Sequence, residues 1–302
     1  MDTFKLITGL AWRNVWRNKR RSLLTFLTIM AGCTMILFMR SLQNGGYAQM
    51  IEDSIAPLAG HMQVHEKGFW KNSTLEYAFV DDPDLLRRIS QTEHVKAVSR
   101  RVHAGALVLC GDSSAGAEIM GIEPSVEENI ITLQRYIQPG GRFLSDTDTD
   151  SIVLGSGLAK NLGAKTGDSI ELLSQGFDGS IAAGQFRVVG IFRSPNIAYN
   201  SALALVSLRQ ANQLFTMSGY VSSYVIRIDD TDESWRVRDN IRSLAGDELE
   251  VMTWNELMPE VMQFIVMDRV SSHIFVLILY LIVAFGILNT IQMSVYERIR
   301  EL

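Results

Sequence analysis

Two cysteines in 302 residues cannot frame a fold. Cys33 lies inside an apolar run and Cys110 in the polar region beyond it, so they cannot pair with each other. A central region this long buries a sufficient core without disulfides. Basic residues form no patch outside the N-terminal segment and the formal net charge is −5, which argues against nucleic acid as a partner. Catalytic motifs are lacking too. Gly155-Ser-Gly157 follows a strand pattern and opens a helix, but no Gly-Lys-Ser/Thr follows, so a tight strand–helix turn is expected rather than a nucleotide loop. His61 and His65 share a face of a predicted strand and sit too far apart for easy chelation. Asp146, Asp148 and Asp150 lack the glycine and distal glutamate of a calcium loop, so a solvated acidic turn is expected. Met252, Met258, Met262 and Met267 track an apolar stripe rather than a copper site. No catalytic residue, metal or cofactor is expected.

What the chain has is two apolar runs near its ends. The first, Leu23 to Met39, follows Arg13, Arg17, Lys19, Arg20 and Arg21; the second, Ile274 to Ile291, precedes Arg298 and Arg300. Each is close to the ~20 residues an α-helix needs to cross a bilayer. After Arg40 no basic residue appears until Lys67, and cytoplasmic flanks carry the excess of Lys and Arg. Both ends therefore read as cytoplasmic, with about 41–272 outside. Arg13, Arg17, Lys19, Arg20 and Arg21 suit anionic headgroups at the inner surface of the bilayer, and Arg40 can snorkel to headgroups on the other side. Met30-Ala31-Gly32-Cys33 looks like a lipoprotein processing site. The apolar run continues past it and the charged leader is long for a signal peptide, which favours an uncleaved anchor. The whole is 47% hydrophobic with mean hydropathy +0.11, too polar for a bundle of many spans.

Between the runs, alternation in Gly60–Glu66 predicts a strand. Asp82-Pro83 starts a helix through Leu85, Leu86 and Ile89, and Val95–Arg101 is extended again. Later, Ser222–Asp229 reads as a strand, Asp232–Leu244 as a helix with Trp235, Val237 and Ile241 apolar, and Leu249–Thr253 as a strand. These two strand–helix–strand units are expected to pack as one split α/β layer. Ala106–Leu109, Glu118–Ile122, Ser151–Leu154, Ser169–Leu173, Gln185–Phe192 and Ala202–Val206 are short strand candidates; short helices are expected near Gly157–Leu162 and Leu208–Phe215. The fold class is α+β: two transmembrane helices flanking an extracytoplasmic split α/β layer with an inserted, mainly β subdomain. The expected boundaries are 1–21 for a basic amphipathic segment, 22–42 for the first membrane helix and 43–254 for the outer core. Within that core, 55–102 and 218–254 form the α/β parts and 103–217 the β-rich insert. A stalk and second membrane helix take 255–293, and a cytoplasmic segment begins at 294.

The junctions carry further signals. Leu42, Tyr47, Met50, Ile51 and Ile55 can continue the first helix outward, with Gly45-Gly46 as its weak point. Thr253-Trp-Asn-Glu256 is a capping box. A continuous helix from Asn255 to Met293 would be ~57 Å long, longer than the ~30 Å hydrocarbon core. Its outer half would then stand above the membrane as a stalk.

Trp12-Arg-Asn-Val-Trp-Arg-Asn-Lys-Arg-Arg-Ser-Leu-Leu-Thr25 resembles the entry to ABC permeases of the MacB, FtsX and lipoprotein-releasing (LolC/LolE) group. Gly286-Ile-Leu-Asn-Thr-Ile-Gln-Met-Ser-Val-Tyr-Glu-Arg-Ile-Arg-Glu-Leu302 is similar to the end of that family's second membrane helix. Ile152-Val-Leu-Gly-Ser-Gly-Leu-Ala-Lys-Asn-Leu-Gly-Ala-Lys-Thr-Gly-Asp168 resembles its extracytoplasmic core.

The resemblance implies a non-enzymatic permease subunit in a bacterial inner (plasma) membrane. It would work with a separate cytoplasmic ABC ATPase and a second permease subunit, as a homo- or heterodimer. ATP-driven closure would be relayed through stalks to the periplasmic domain. By position it places Glu297, Arg298, Arg300 and Glu301 at the ATPase contact. Family members have four membrane helices, so the chain is expected to be a fragment. In the lipoprotein-releasing branch an outer hairpin engages a periplasmic carrier. Its counterpart here is Ser174–Gly184, with Gln175, Phe177, Asp178 and Ile181 as candidate contacts and Phe177 the only aromatic. That loop is Gly-rich and lacks proline, which predicts a floppy hook. An FtsX-like regulator of a cell-wall hydrolase and a two-helix receptor with an outer sensor domain remain as alternatives.

Overall fold

The computed structural model describes residues 19–54, 58–231 and 233–299. They divide into two compact units, 19–50 with 262–299, and 51–261. The first unit holds two helices long and apolar enough to cross a membrane, over 22–51 and 259–293. Helix α1 spans Lys19–Ser54 without interruption. Gly45-Gly46, expected as a weak point, is ordinary helix with open space around both residues. Glycine costs a helix interior only ~1 kcal/mol, and side-chain bonds from Gln43 and Tyr47 flank the pair.

The exit from the β-domain differs from the expected continuous helix. The capping box at Thr253 and Glu256 exists, but it starts a one-turn helix, Trp254–Leu257. Met258 then leaves helical geometry and a new helix opens at Pro259, running to Ile299. The residue before a proline is pushed out of the α region, whereas proline itself fits the first turn. The long helix is about 62 Å at 1.5 Å per residue.

In the second unit nine strands form one sheet, ordered β11-β1-β10-β3-β4-β8-β5-β7-β6, and β6 pairs back onto β3. The strands are β1 Met62–Glu66, β3 Val95–Cys110, β4 Ser113–Ile122, β5 Ser151–Gly155, β6 Ser169–Gln175, β7 Ile181–Phe192, β8 Leu203–Ser207, β10 Ser223–Ile228 and β11 Leu249–Thr253. A two-residue pair, β2 Phe79–Val80 with β9 Tyr220–Val221, stands apart. Val95–Arg101 and Ala106–Leu109, read from sequence as two strands, are one sixteen-residue strand. Its first half, through Arg101, pairs with β10. Its second half, from Val102, pairs with β4, and Leu107–Leu109 also pair with β6. The result is an open four-stranded sheet (β11, β1, β10, β3) and a closed six-stranded barrel (β3, β4, β8, β5, β7, β6) hung on one strand.

The barrel closes because its inward residues are small where strands crowd. Ala104, Ala106, Ala117, Ala182 and Ala204 alternate with larger Val108, Ile119, Leu154, Phe186 and Val188 in one core. Gly155 and Gly190 allow backbone contact: a Cβ would strike the carbonyl of Asn200 at the first and of Arg142 at the second. On the open sheet, Met62, Val64, Tyr224, Ile226 and Val251 pack one face against helices Pro83–Ser90 and Ser234–Ala245. Asp82 caps the first of these through the amides of Asp84 and Leu85. Trp235, expected on the apolar side of the second, is instead exposed with the Arg236 guanidinium over its ring, while Val237 and Ile241, one turn apart, take the core.

Candidate functional site

The opposite face of the open sheet is polar and yet buried. Gln63 and His65 of β1, Ser223 of β10, and Ser99, Arg101 and His103 of β3 are all shielded from solvent. Register aligns His65 with Ser223 and Ser223 with Arg101. At its centre Arg101, 1% exposed, grips fully buried Glu127 by two hydrogen bonds, Nε to Oε1 at 2.6 Å and Nη2 to Oε2 at 2.9 Å. Ser99 Oγ donates a third bond to the same carboxylate at 3.0 Å. The remaining Arg101 nitrogen, Nη1, donates to the carbonyl of Leu58 at 2.6 Å. Guanidinium and carboxylate match as two parallel donors and acceptors, the geometry that offsets desolvation best. The tie lies where β3 passes from sheet to barrel, and it holds the segment by which the chain enters the β-domain.

The chain leaves the domain beside that entry. Met62 opposes Thr253, and the Trp254 amide donates to the His61 carbonyl at 2.9 Å. Next to the hub, Arg100 bridges Asp81 at 2.9 Å and Glu123 at 2.5 Å. Tyr224 donates to Asp81 at 2.9 Å and accepts from the Asp82 amide at 2.8 Å. Burial, then the bond to Asp81, push the Tyr224 hydroxyl well above its usual range. Sequence reading missed this network. Its visible trace was two adjacent arginines within a strand, Arg100 and Arg101.

The helical unit has its own junction. Gly32 lies against Val283, where a Cβ would come within 2.8 Å of a methyl, and Gly286 lies near Thr28. Further along, Tyr47 donates to Asp268 at 2.6 Å and Ser272 donates to Gln43 at 2.7 Å. All four pairs fit one antiparallel register. Small residues let helix backbones approach, and polar side chains lock the alignment.

The loop expected to be floppy is a tight hairpin. The Gly176 amide donates to the Ser180 carbonyl at 2.8 Å, Gly179 takes φ +82°, and Asp178 accepts from the Ser180 amide and hydroxyl. Those Ser180 bonds hold the Asp178 carboxyl below the usual carboxylate range. Phe177 turns inward onto Tyr220, ring centroids 4.8 Å apart, and its amide donates to the Phe215 carbonyl. Ile181 is 81% exposed and Gln175 is exposed. A cleft of about 640 Å³ beside the hairpin is walled by Leu107, Leu173 and Leu75.

Of the other expected positions, Lys19 and Arg20 are exposed on the first helix. Arg13, Arg17, Arg300 and Glu301 lie outside the described residues, as do the side chains of Arg21, Glu297 and Arg298. Cys33 and Cys110 are both free thiols. Asp148, read as a solvated acid, forms a two-point bond to Arg142 at 2.7 and 2.8 Å, and Arg142 first of all holds its carboxyl below the usual range.

Several known proteins are similar to this chain. The model of the MacB-like periplasmic core domain matches residues 22–244. The lipoprotein-releasing system transmembrane protein LolC of Neisseria meningitidis serogroup B is 22% identical over 98% of this chain and 72% of its own length. The corresponding LolE protein of Haemophilus influenzae is 24% identical over 71% of this chain, which spans about half (53%) of that relative. The periplasmic region of MacB from Actinobacillus actinomycetemcomitans aligns at 16% identity with a TM-score of 0.47, covering 70% of this chain and 95% of that one. With the family model spanning most of its length, the chain belongs to the MacB-like periplasmic core domain family, that of the MacB/FtsX/LolC-type ABC permeases.

Proposed function

We propose that the chain is a permease subunit that relays the motion of a separate cytoplasmic ATPase to an extracytoplasmic domain, to extract or export lipoprotein or another amphiphile. The observation that carries this reading is the meeting of entry and exit. Met62 opposes Thr253, so both connections to the apolar helices reach the β-domain at neighbouring strand ends. Arg101 and Glu127 stand beside them, tied to Leu58. A displacement of either connection is thus delivered to the strand from which the barrel hangs.

In this reading both ends of the chain are cytoplasmic, following the excess of basic residues there. Arg13, Arg17, Lys19, Arg20 and Arg21 rest on the inner leaflet, and a second permease subunit completes the assembly. Glu297, Arg298, Arg300 and Glu301 meet the ATPase, where charges of both signs set register at a rim. The 175–181 hairpin faces a lipoprotein carrier, with Ile181 rather than inward-turned Phe177 as its apolar contact. The names of the LolC and LolE relatives support a lipoprotein cargo.

The test is a mild-detergent pull-down of the full-length protein with mass spectrometry. An ATPase recovered with lipoproteins or a periplasmic carrier supports extraction, and an ATPase with a cell-wall hydrolase would replace it by a regulator. No ATPase would overturn both in favour of a two-helix receptor. Glu297→Ala with Arg298→Ala is expected to reduce ATPase co-purification and leave membrane insertion intact; unchanged recovery would remove the contact assignment.

A further inference from the structure

The buried polar face contains more than the Arg101–Glu127 tie. His65 is fully buried; its Nδ1 lies 3.2 Å from the Glu66 carbonyl and its Nε2 has no hydrogen-bond partner among the described residues. Ser223 Oγ, on the residue opposite in register, has none either, nor has His103 Nε2. A turn from Glu66 to Asn72 closes over this face through the bonds of Phe69 to Glu66 and Asn72 to Gly68. Phe69, 1% exposed, lies between the two imidazoles, with ring centroids 5.5 Å from His65 and 5.7 Å from His103. Trp70 stacks on His65 at 6.5 Å and 15° while remaining partly open to solvent. The turn is therefore a strap held by two aromatic residues on a buried imidazole.

The charged surroundings decide what a proton would do. On β11, Glu250 is an anion 4.0 Å from Nδ1 and itself 43% exposed. From β3 come Arg101, whose charge is already matched by Glu127, and His103, whose Nδ1 is 2.7 Å from Glu118. Among the described residues the buried Glu127 is already committed to Arg101, which leaves Glu250, half in solvent, as the anion facing His65. Burial, above all, pushes the His65 imidazole below its ordinary value, and the Glu66 carbonyl and Glu250 oppose this only in part.

We propose that the Glu66–Asn72 strap is an acid-released latch on the polar face of the open sheet, with His65 as the group whose protonation frees Phe69 and Trp70. A histidine that titrates lower when folded than when unfolded stabilises the closed form above the unfolded value of ~6.5 and loses that contribution as pH falls below it. Released, the strap uncovers His65 and His103, the residues of that face against which Phe69 and Trp70 lie. The latch rests on the sheet's geometry alone; its use by an extracytoplasmic domain, which shares the pH of its surroundings, rests on the placement proposed above.

The experiment is hydrogen–deuterium exchange by mass spectrometry on the full chain in detergent, read over 66–72 and corrected for intrinsic exchange at each pH. From pH 7.5 to 5.5 the opening of this segment is expected to rise, by up to about tenfold per pH unit below 6.5, while barrel strands stay protected. His65→Phe keeps an aromatic ring and removes the unpartnered nitrogen, so the strap is expected to stay closed at pH 5.5. His65→Gln, a second neutral replacement, gives the same flat profile if the phenyl ring fails to pack. His103→Gln retains the dependence. Equal opening at both pH values in the unmodified protein, or an undiminished rise in both His65 variants, would overturn the latch. Because no partner enters the measurement, its failure leaves the transport reading untouched.

Discussion

The open sheet and the closed barrel share strand Val95–Cys110 but are stabilised in opposite ways. The barrel is an apolar object: alternate residues of six strands meet around Phe186, Ile119 and Leu154, and closure leaves no free edge. The sheet packs one face in an apolar core, where two helices cover it. Its other face buries Gln63, His65, Ser99, Arg101 and Ser223. Apolar packing is tolerant of small shifts, whereas a buried polar array is satisfied in one arrangement and costly in most others. The contrast makes the barrel a body held by apolar packing, and the polar face an array selective for one arrangement.

That contrast can be broken where the expected effects are largest. Glu127→Ala leaves Arg101 buried without its anion, and loss of one partner of such a pair costs about 3–5 kcal/mol. Denaturant unfolding of the detergent-solubilised chain should show it, and Arg101→Met with Glu127→Leu should recover most of the loss. If the double variant is no better than the single one, the pair is not acting as an isolated ionic tie. Leu154→Ala in the barrel core should cost about 2–5 kcal/mol through a cavity. No charge-neutral partner change rescues a cavity, which distinguishes the two regions even where their losses are equal. Asp82→Ala is the smallest test. It removes the cap of the Pro83–Ser90 helix and should lower stability by about 1 kcal/mol, with the amides of Asp84 and Leu85 exchanging faster and the barrel unchanged.

Much of the fold was legible because its signals are local. Asp82-Pro83 announces a helix through a cap and a fixed φ, and the structure begins a helix there. Alternation in Ser169–Leu173 and Gln185–Phe192 appears as strands β6 and β7. One reading failed where a local signal met a competing local rule. The Thr253 capping box was taken to start the long helix, but Pro259 six residues later restarts it. The outward continuation of the first helix past Leu42 appears as expected through Ser54, and its weak point at Gly45-Gly46 does not interrupt it. The hairpin was misjudged differently: glycine content suggested looseness, while Asp178 and Ser180 supply the bonds that tighten the turn.

The candidate hub was hardly legible at all. Arg101 and Glu127 lie 26 residues apart, and nothing in a strand pattern says that an arginine faces a buried carboxylate rather than water. His65 was weighed as a metal ligand and set aside; its burial under Phe69 and Trp70 depends on a turn that no periodicity marks.

The sequence by itself determined the two apolar helices, the bias of basic residues to the ends, and most strands and caps. Each of these depends on residues within a turn or a pleat of one another, where period, proline geometry and charge act directly. Only the tertiary structure decided that one strand serves both sheet and barrel, that entry and exit adjoin at Met62 and Thr253, and that a polar face is sealed inside. Those outcomes join residues tens to hundreds of positions apart. They are settled by which faces are buried against which, a competition among whole packings that no short window of sequence contains.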